Sequence, residues 1–428
     1  MVISVTATVM VVALIVAAMV GLSPVWGASP RPVVATTTLR GGDRAGQPPP
    51  VAMAMTPPMG WNGFNRFFIA VDAARVEAAA RVLVSSGMKA AGYKYVNLDG
   101  GWDLYDRNPE GALQPNPITF PQGIRPVADY VHALGLKFGI YASAGLRNCA
   151  GTSAGSYGHY WQDAAAFASW GVDYLKLDWC RIPYQDFPHM THDQVGQVLG
   201  SEMAQALAAT GRPIVYDLND PRADDRPWSW APRLSHLWRT TPDIRDKYTS
   251  MVWNFTHNVD HFPVARLGGW NDPDMLEIGN GGMSDLEYKS EFSLWSEMAA
   301  PLIAGNDLAV MSPATQAILS NSAVIAVDQD PMGMQGYPVA SAAGHWVLTK
   351  PLANGDRAVV LFNQTDKAAT ITTTVAQLGL PAGRVYMLVD LWNGTAMDST
   401  GVIDAAVPAH GVVMYRISTS GSSDPTGR

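Results

Sequence analysis

Apolar runs in this chain end again and again in side chains that carry charge or hydrogen bonds. Along the sequence these ends are Trp61 and Asn62, Asp99, Tyr141, Lys176 and Asp178, Asn219, Arg239 and Asp243, and Asp272 and Asp274. A single acidic residue at such a place commonly caps a loop or a neighbouring helix. Five aspartates converging with one lysine and one arginine are harder to read that way, because crowded like charges are costly unless paired or used. Two carboxylates flanking a glycosidic bond can hydrolyse it, one as nucleophile or base and the other as acid, with their separation fixing the stereochemical outcome. The residues alone leave open which two of the five would act.

The elements that must position these side chains are legible as alternating segments. Short apolar runs fall at residues 59–62, 93–102, 136–143, 172–179, 213–219, 236–243, 267–275 and 301–307. Amphipathic stretches lie between them: 72–89 places Val76, Leu83 and Val84 at helical spacing, and 124–134 does so with Val127 and Val131. Eight strands alternating with helices point to an α/β protein, a (β/α)8 TIM barrel over residues 55–330, with an open doubly wound sheet as the alternative. In such a barrel the C-terminal strand ends form the active face, where the polar residues fall. Beyond residue 330 the pattern turns to β-type runs at 346–350, 358–362, 369–375, 385–391 and 411–417, punctuated by Asn354-Gly355 and Asn393-Gly394. These predict a C-terminal antiparallel β-sandwich domain over 331–418, and the polar tail 419–428 is expected to be disordered.

The N-terminus reads as a secretory signal peptide over 1–27, with an apolar stretch from Val2 to Leu22 and small residues at Gly27 and Ala28. No Lys or Arg precedes the apolar stretch, so an uncleaved anchor is the alternative. Residues 28–54 read as an unstructured leader. The body is then secreted or extracytoplasmic, with no membrane span in the mature protein. Its two cysteines, Cys149 and Cys180, read in an exported chain as one disulfide, two free thiols being the alternative. No zinc-site spacing, Walker loop or dinucleotide fingerprint occurs, so neither metal nor cofactor is expected. A net charge of -8 with no basic run excludes nucleic acid as a natural partner and leaves neutral substrates. Fourteen Trp and fifteen Tyr are compatible with stacking on sugar rings, which makes a carbohydrate the expected partner. Nothing in the sequence fixes the oligomeric state.

From Thr56 to Ser418 the chain resembles glycoside hydrolase family 27, the α-galactosidase and α-N-acetylgalactosaminidase group. The resemblance rests on Thr56-Pro-Pro-Met-Gly-Trp-Asn62, Tyr95-Val-Asn-Leu-Asp99, Gly135-Leu-Lys-Phe-Gly-Ile-Tyr141 and Trp170-Gly-Val-Asp-Tyr-Leu-Lys-Leu-Asp178. It continues in Trp238-Arg-Thr-Thr-Pro-Asp-Ile244, Gly269-Trp-Asn-Asp-Pro-Asp-Met-Leu276, Ala299-Ala-Pro-Leu-Ile-Ala-Gly-Asn-Asp307 and Val324-Ile-Ala-Val-Asp-Gln-Asp-Pro331. It implies a retaining exo-glycosidase acting on terminal α-D-galactosyl residues, with Asp178 as nucleophile and Asp243 as acid/base. That cycle requires Asp178 ionised and Asp243 protonated at rest. Trp61, Asp99, Tyr141, Lys176, Asn219, Arg239 and Asp274 carry over as substrate-binding residues, and Cys149 and Cys180 as a bridge beside Asp178. The chain departs from the pattern at Gly100, where a second acid usually follows Asp99. It departs again at Asn219 in place of Glu, at Ser143 in place of an acid, and at Gly63-Phe64 in place of Ser-Trp. These positions bear on the sugar rather than the reaction. Sister specificities therefore stay open: α-N-acetylgalactosaminidase, β-L-arabinopyranosidase or isomalto-dextranase. A non-catalytic sugar-binding barrel is the reading from a different class.

Overall fold

Each of the eight apolar runs contains one short parallel strand. They are β1 (Met59–Asn62), β2 (Tyr95–Leu98), β3 (Lys137–Ser143), β4 (Tyr174–Asp178), β5 (Val215–Asn219), β6 (Leu237–Arg239), β7 (Trp270–Asp272) and β8 (Leu302–Ala304). The computed structural model describes residues 53–220 and 226–419, so the expected signal peptide, nearly all of the leader and the tail lie outside the described residues. The strands hydrogen-bond in the order β7-β6-β5-β4-β3-β2-β1-β8. The ring closes just past β7, where Leu276 N–H donates to Ile303 O and Leu276 O accepts from Gly305 N–H, each at 2.8 Å.

The helix expected over 72–89 is two. Ala73–Ser85 starts on Asp72, whose carboxylate accepts from Arg75 N–H, and Met88–Ala91 follows after Gly87, whose φ of 85° breaks the helical path. Val76, Ala79, Ala80 and Leu83 form the buried stripe; Val84, expected with them, falls at its edge and is exposed. The helix Arg125–Ala133 buries Val127 and Val131 as its spacing predicts. No helix among the described residues is long and apolar enough to cross a membrane.

The C-terminal strands are β9 (Tyr337–Ala342), β10 (His345–Pro351), β11 (Arg357–Asn363), β12 (Ala369–Thr374), β13 (Tyr386–Asp390), β14 (Ala396–Ser399), β15 (Val402–Val407) and β16 (Val412–Thr419). Six form an antiparallel sheet in the order β14-β13-β16-β11-β10-β9, and β12 pairs with β15. Strand alternation sends successive residues of β11 to opposite faces. Val359 and Leu361 pack with Ile371, Ile403 and Val407 of the small sheet, while Ala358, Val360 and Phe362 join the barrel's core. Phe362 meets Phe255 of the barrel edge-on, with ring centroids 5.6 Å apart. The large sheet is thus covered on both faces, which explains why β11 reads as an unbroken apolar run.

Of three glycosylation sequons, two begin with asparagines that the fold consumes. Asn254 and Asn363 are buried and spend their amide hydrogens on backbone carbonyls, and only Asn393 is exposed.

Candidate active site

Beyond the C-terminal strand ends, two walls of polar side chains face each other. The first comes from β1 to β4. Asp99, at the tip of β2, accepts through Oδ2 from Asn62 Nδ2 (2.7 Å) and Lys176 Nζ (2.8 Å), and through Oδ1 from Gly100 N–H (2.8 Å). Lys176 stands two residues before Asp178, so both side chains leave β4 on the same face. Asp178 accepts from Tyr141 Oη–H at 2.8 Å and from Trp179 N–H at 2.9 Å. Tyr141 is fixed in turn from behind, its carbonyl accepting from Trp102 Nε1–H at 2.9 Å. Cys149 and Cys180 are joined in a disulfide with Cα atoms 5.0 Å apart, and the Cys149 sulfur lies 2.8 Å from Asp178 Oδ2. Cys149, Asp178 and Cys180 are the one closely spaced set of potential metal ligands among the described residues, and the bridge leaves it no thiolate to offer.

The second wall comes from β6 and β7 and centres on Arg239, which is buried to 2% exposure. Its guanidinium donates to Asp243 Oδ1 at 3.0 Å, to Asp272 Oδ2 at 3.4 Å and to Asp274 Oδ1 at 2.8 Å. Asp274 also orders the chain that carries Asp243, because its Oδ2 accepts from Ile244 N–H at 2.8 Å. It does so from a left-handed backbone, φ 82°, held by Trp295 Nε1–H on its carbonyl (2.8 Å) and by Asp272 Oδ1 on its N–H (2.9 Å). Asn254 ties the two acid-bearing segments together, donating to the carbonyls of Pro242 and Pro273, the residues just before Asp243 and Asp274. In the sequence it is visible only as the start of a sequon.

Electrostatically the two walls run opposite to expectation. Burial pushes the Asp178 carboxyl up to about 6, with Lys176 pulling it down and Asp243 pushing it further up. Asp243 also feels burial raising it, but Arg239 and Lys176 outweigh that and hold it below the ordinary carboxylate range. The environments do push the pair apart; the order is the reverse of the one the catalytic cycle needs at rest. The cause is the Arg239–Asp243 ion pair, which formula and spacing alone do not reveal because the chain doubles back between the two residues. Burial likewise raises Asp274 to about 6 against Arg239. Lys176 keeps its charge: burial opposes it, and Asp99, Asp274 and Asp178 together more than compensate.

The remaining sequence candidates fall as follows. Asn219 lies beside Asp178 in the β4–β5 register, buried, with Oδ1 lacking a hydrogen-bond partner among the described residues. Trp61 is buried to 1% exposure, and its indole N–H donates to Asn306 O at 2.8 Å. At Gly100 a Cβ would meet only the Tyr141 ring, at 3.6 to 3.9 Å. Of the charged residues that follow, Asp106 pairs with Arg147 at 3.5 Å and Arg107 forks on Asp163, both contacts at 2.7 Å, while Asp103 is buried with Oδ1 lacking a hydrogen-bond partner among the described residues. Asp217, inside β5, is a charged residue of the bore that pattern reading missed, since an acid within an apolar run looks like an interruption.

Family models for "Alpha galactosidase A" and for the "Alpha galactosidase C-terminal beta sandwich domain" match residues 56–330 and 342–417. The chain is 42% identical over 363 residues to an alpha-galactosidase of Oryza sativa, covering 85% of each. It is 37% identical to an alpha-N-acetylgalactosaminidase of Gallus gallus, covering 85% of this chain and 93% of that one. The structure of alpha-galactosidase I from Mortierella vinacea superposes with a TM-score of 0.81 at 33% identity, covering 87% and 99% of the two chains. This chain belongs to the α-galactosidase family, glycoside hydrolase family 27.

Proposed function

We propose that the protein is a retaining exo-glycosidase that removes terminal α-D-galactosyl residues from oligosaccharides or glycoconjugates. The carrying observation is the pair Asp178 and Asp243 on opposite walls, each with its own cation: Lys176 behind the first, Arg239 against the second. Asp178 attacks the anomeric carbon while Asp243 gives a proton to the departing oxygen; Asp243 then deprotonates a water that releases the sugar with its configuration kept. The carboxylate of Asp178 keeps a lone pair for attack because its two hydrogen bonds, from Tyr141 and Trp179, hold the group without using it up.

The resting ionisation is compatible with this cycle if sugar binding reverses it. The Asp243 side chain is 67% exposed, so a pyranose covering it removes water from its charged form, and a hydroxyl competing for Arg239 weakens the ion pair. Both changes raise Asp243. Once Asp178 has become an ester its charge no longer repels Asp243, which then suits the role of base. Asp99, Lys176, Arg239 and Asn219 supply the hydrogen bonds that orient the ring. The test is a mechanism-based fluorosugar, which should label Asp178, with NMR showing α-galactose as first product; label on another carboxylate, or inversion, overturns the reading. The apolar N-terminus and the Cys149–Cys180 bridge support export to an oxidising compartment.

One observation favours a sister specificity as the second reading. Gly100 removes a carboxylate that could accept from the sugar's 4- and 6-hydroxyls, which favours a pyranose altered at C4 or C6, such as β-L-arabinopyranoside. A charge-assisted bond of this kind contributes roughly 1.5–3 kcal/mol, about ten- to hundredfold. Gly100→Asp, for which the backbone has room, should raise kcat/KM for α-galactoside relative to β-L-arabinopyranoside by that factor. An unchanged ratio removes Gly100 from the specificity site.

A further inference from the structure

Below the catalytic pair the barrel bore is polar above an apolar plug of Tyr95, Tyr174, Val215 and Leu237. Asn97, Lys176, Asp217, Arg239 and Asp272 line a cavity of about 20 Å³ there. That is room for one water. Two acceptors on its lining, Asn97 Oδ1 and Asp217 Oδ1, are buried without a hydrogen-bond partner among the described residues. Gly139 is what lets Asn97 lie this way: a Cβ there would sit 2.0 Å from Asn97 Oδ1. The other oxygen of Asp217 accepts from Tyr174 Oη–H at 2.8 Å. Lys176 is matched by Asp99, and Arg239 by Asp243, Asp272 and Asp274; Asp217 has no ion pair among the described residues.

We propose that Asp217 is a positioning residue: with a water shared between it and Asn97, it forms an ionisable floor beneath Arg239, and the charge on that floor sets how strongly Arg239 holds the acid Asp243. This rests on the assignment of Asp243 as the acid. When Asp217 is neutral, Arg239 directs its charge forward and keeps Asp243 ionised; when Asp217 is charged, part of that pull is cancelled and Asp243 keeps its proton longer. Burial and the neighbouring Asp272 push Asp217 up to about 7, against Arg239, Tyr174 and Lys176. The floor therefore gains its charge as pH rises through about 7, the range in which Asp243, raised by the bound sugar, has to keep its proton.

The test is the pH dependence of kcat in the full-length enzyme with a poor-leaving-group galactoside, because kcat reports the sugar-bound state in which Asp243 is raised. In Asp217→Asn the floor stays neutral, so the alkaline limb should move to lower pH by about half a unit to one unit, while a substrate that needs no protonation shows no such displacement. Tyr174→Phe removes a bond that favours charged Asp217 and should move the limb the same way by less, which keeps the proposal testable should Asp217→Asn fail to fold. Infrared difference spectra between acidic and alkaline pH should contain a carboxylic-acid band titrating near neutrality in the wild type and lost in Asp217→Asn. An unmoved limb with a uniform fall in kcat, or no such band, overturns the floor. Loss in Asp243→Ala that is equal for good and poor leaving groups would instead remove Asp243 as the acid, and the infrared band would still report on Asp217 by itself.

Discussion

The two walls of the pocket hold their aspartates by different means. Asp178 is gripped by a tyrosine hydroxyl, a backbone N–H and the close approach of a disulfide, all on the β3–β4 side. Asp243 hangs from a single guanidinium with most of its side chain in solvent. The difference matches what each must do. A nucleophile has to meet a carbon at a fixed distance, so rigidity serves it, whereas a group that gives and takes a proton must reach both the departing oxygen and water. Rigidity obtained by burial has a consequence: it raises the Asp178 carboxyl, and the exposed partner ends up the more easily ionised of the two.

The strongest test of the comparison removes each acid. Asp178→Ala should lower kcat by about 10⁴-fold or more, since nothing else on its wall can form the ester. Asp178→Asn should also be more stable than the wild type at neutral pH. The folded value near 6 lies above the unfolded value near 3.9, so charging Asp178 works against folding, a cost absent below about pH 4 and complete above about pH 6. Urea melts should show a gain on the order of 1–3 kcal/mol at pH 7 that vanishes at pH 4; a loss at pH 7 would mean the carboxylate is stabilised in place. Asp243→Ala should cost about 10²- to 10⁴-fold on poor leaving groups and far less on good ones. Equal losses would erase the functional difference between the walls.

A smaller effect comes from the bridge that only one wall has. Cys149→Ser with Cys180→Ser opens a loop of 31 residues, which chain entropy values at roughly 3–4 kcal/mol. Thermal melts should register it, and KM should rise as Tyr141 and Asp178 lose their brace. The leaving-group dependence, which belongs to the Asp243 wall, should not change; if it does, the walls are coupled through more than the substrate.

How far this was legible in the sequence differs between the walls and the bore. Asp99, Tyr141, Lys176 and Asp178 end apolar runs, and a run's end is a position the pattern marks. The strands of the barrel were visible for the same reason, whereas the two-faced packing of β11 was not, because an unbroken apolar run carries no alternation to read. Asp217 was not, because it sits within a run and its function depends on what lies across the barrel. Val84 was misjudged by a fraction of a helical turn. The left-handed φ of Asp274 and the fold-back that brings Arg239 onto Asp243 are tertiary facts, and with them goes the order of the two pKa values.

The smallest expected effect decides whether that order is felt in solution. The rate of inactivation by a fluorosugar depends on ionised Asp178 in the free enzyme, so its acid limb should lie near pH 6. Lys176 draws Asp178 down and Asp243 pushes it up. Lys176→Met should therefore move the limb to higher pH and Asp243→Asn should move it to lower pH, each by less than about one unit. The opposite signs matter more than the sizes, since a general loosening of the pocket would move both the same way. Asp274 is also pushed to about 6, but it is buried behind Arg239 and its titration would act through that ion pair. A limb that follows Asp274→Asn and ignores Lys176→Met would transfer the ionisation to the second wall and leave Asp178 with an ordinary carboxylate, gripped but not perturbed.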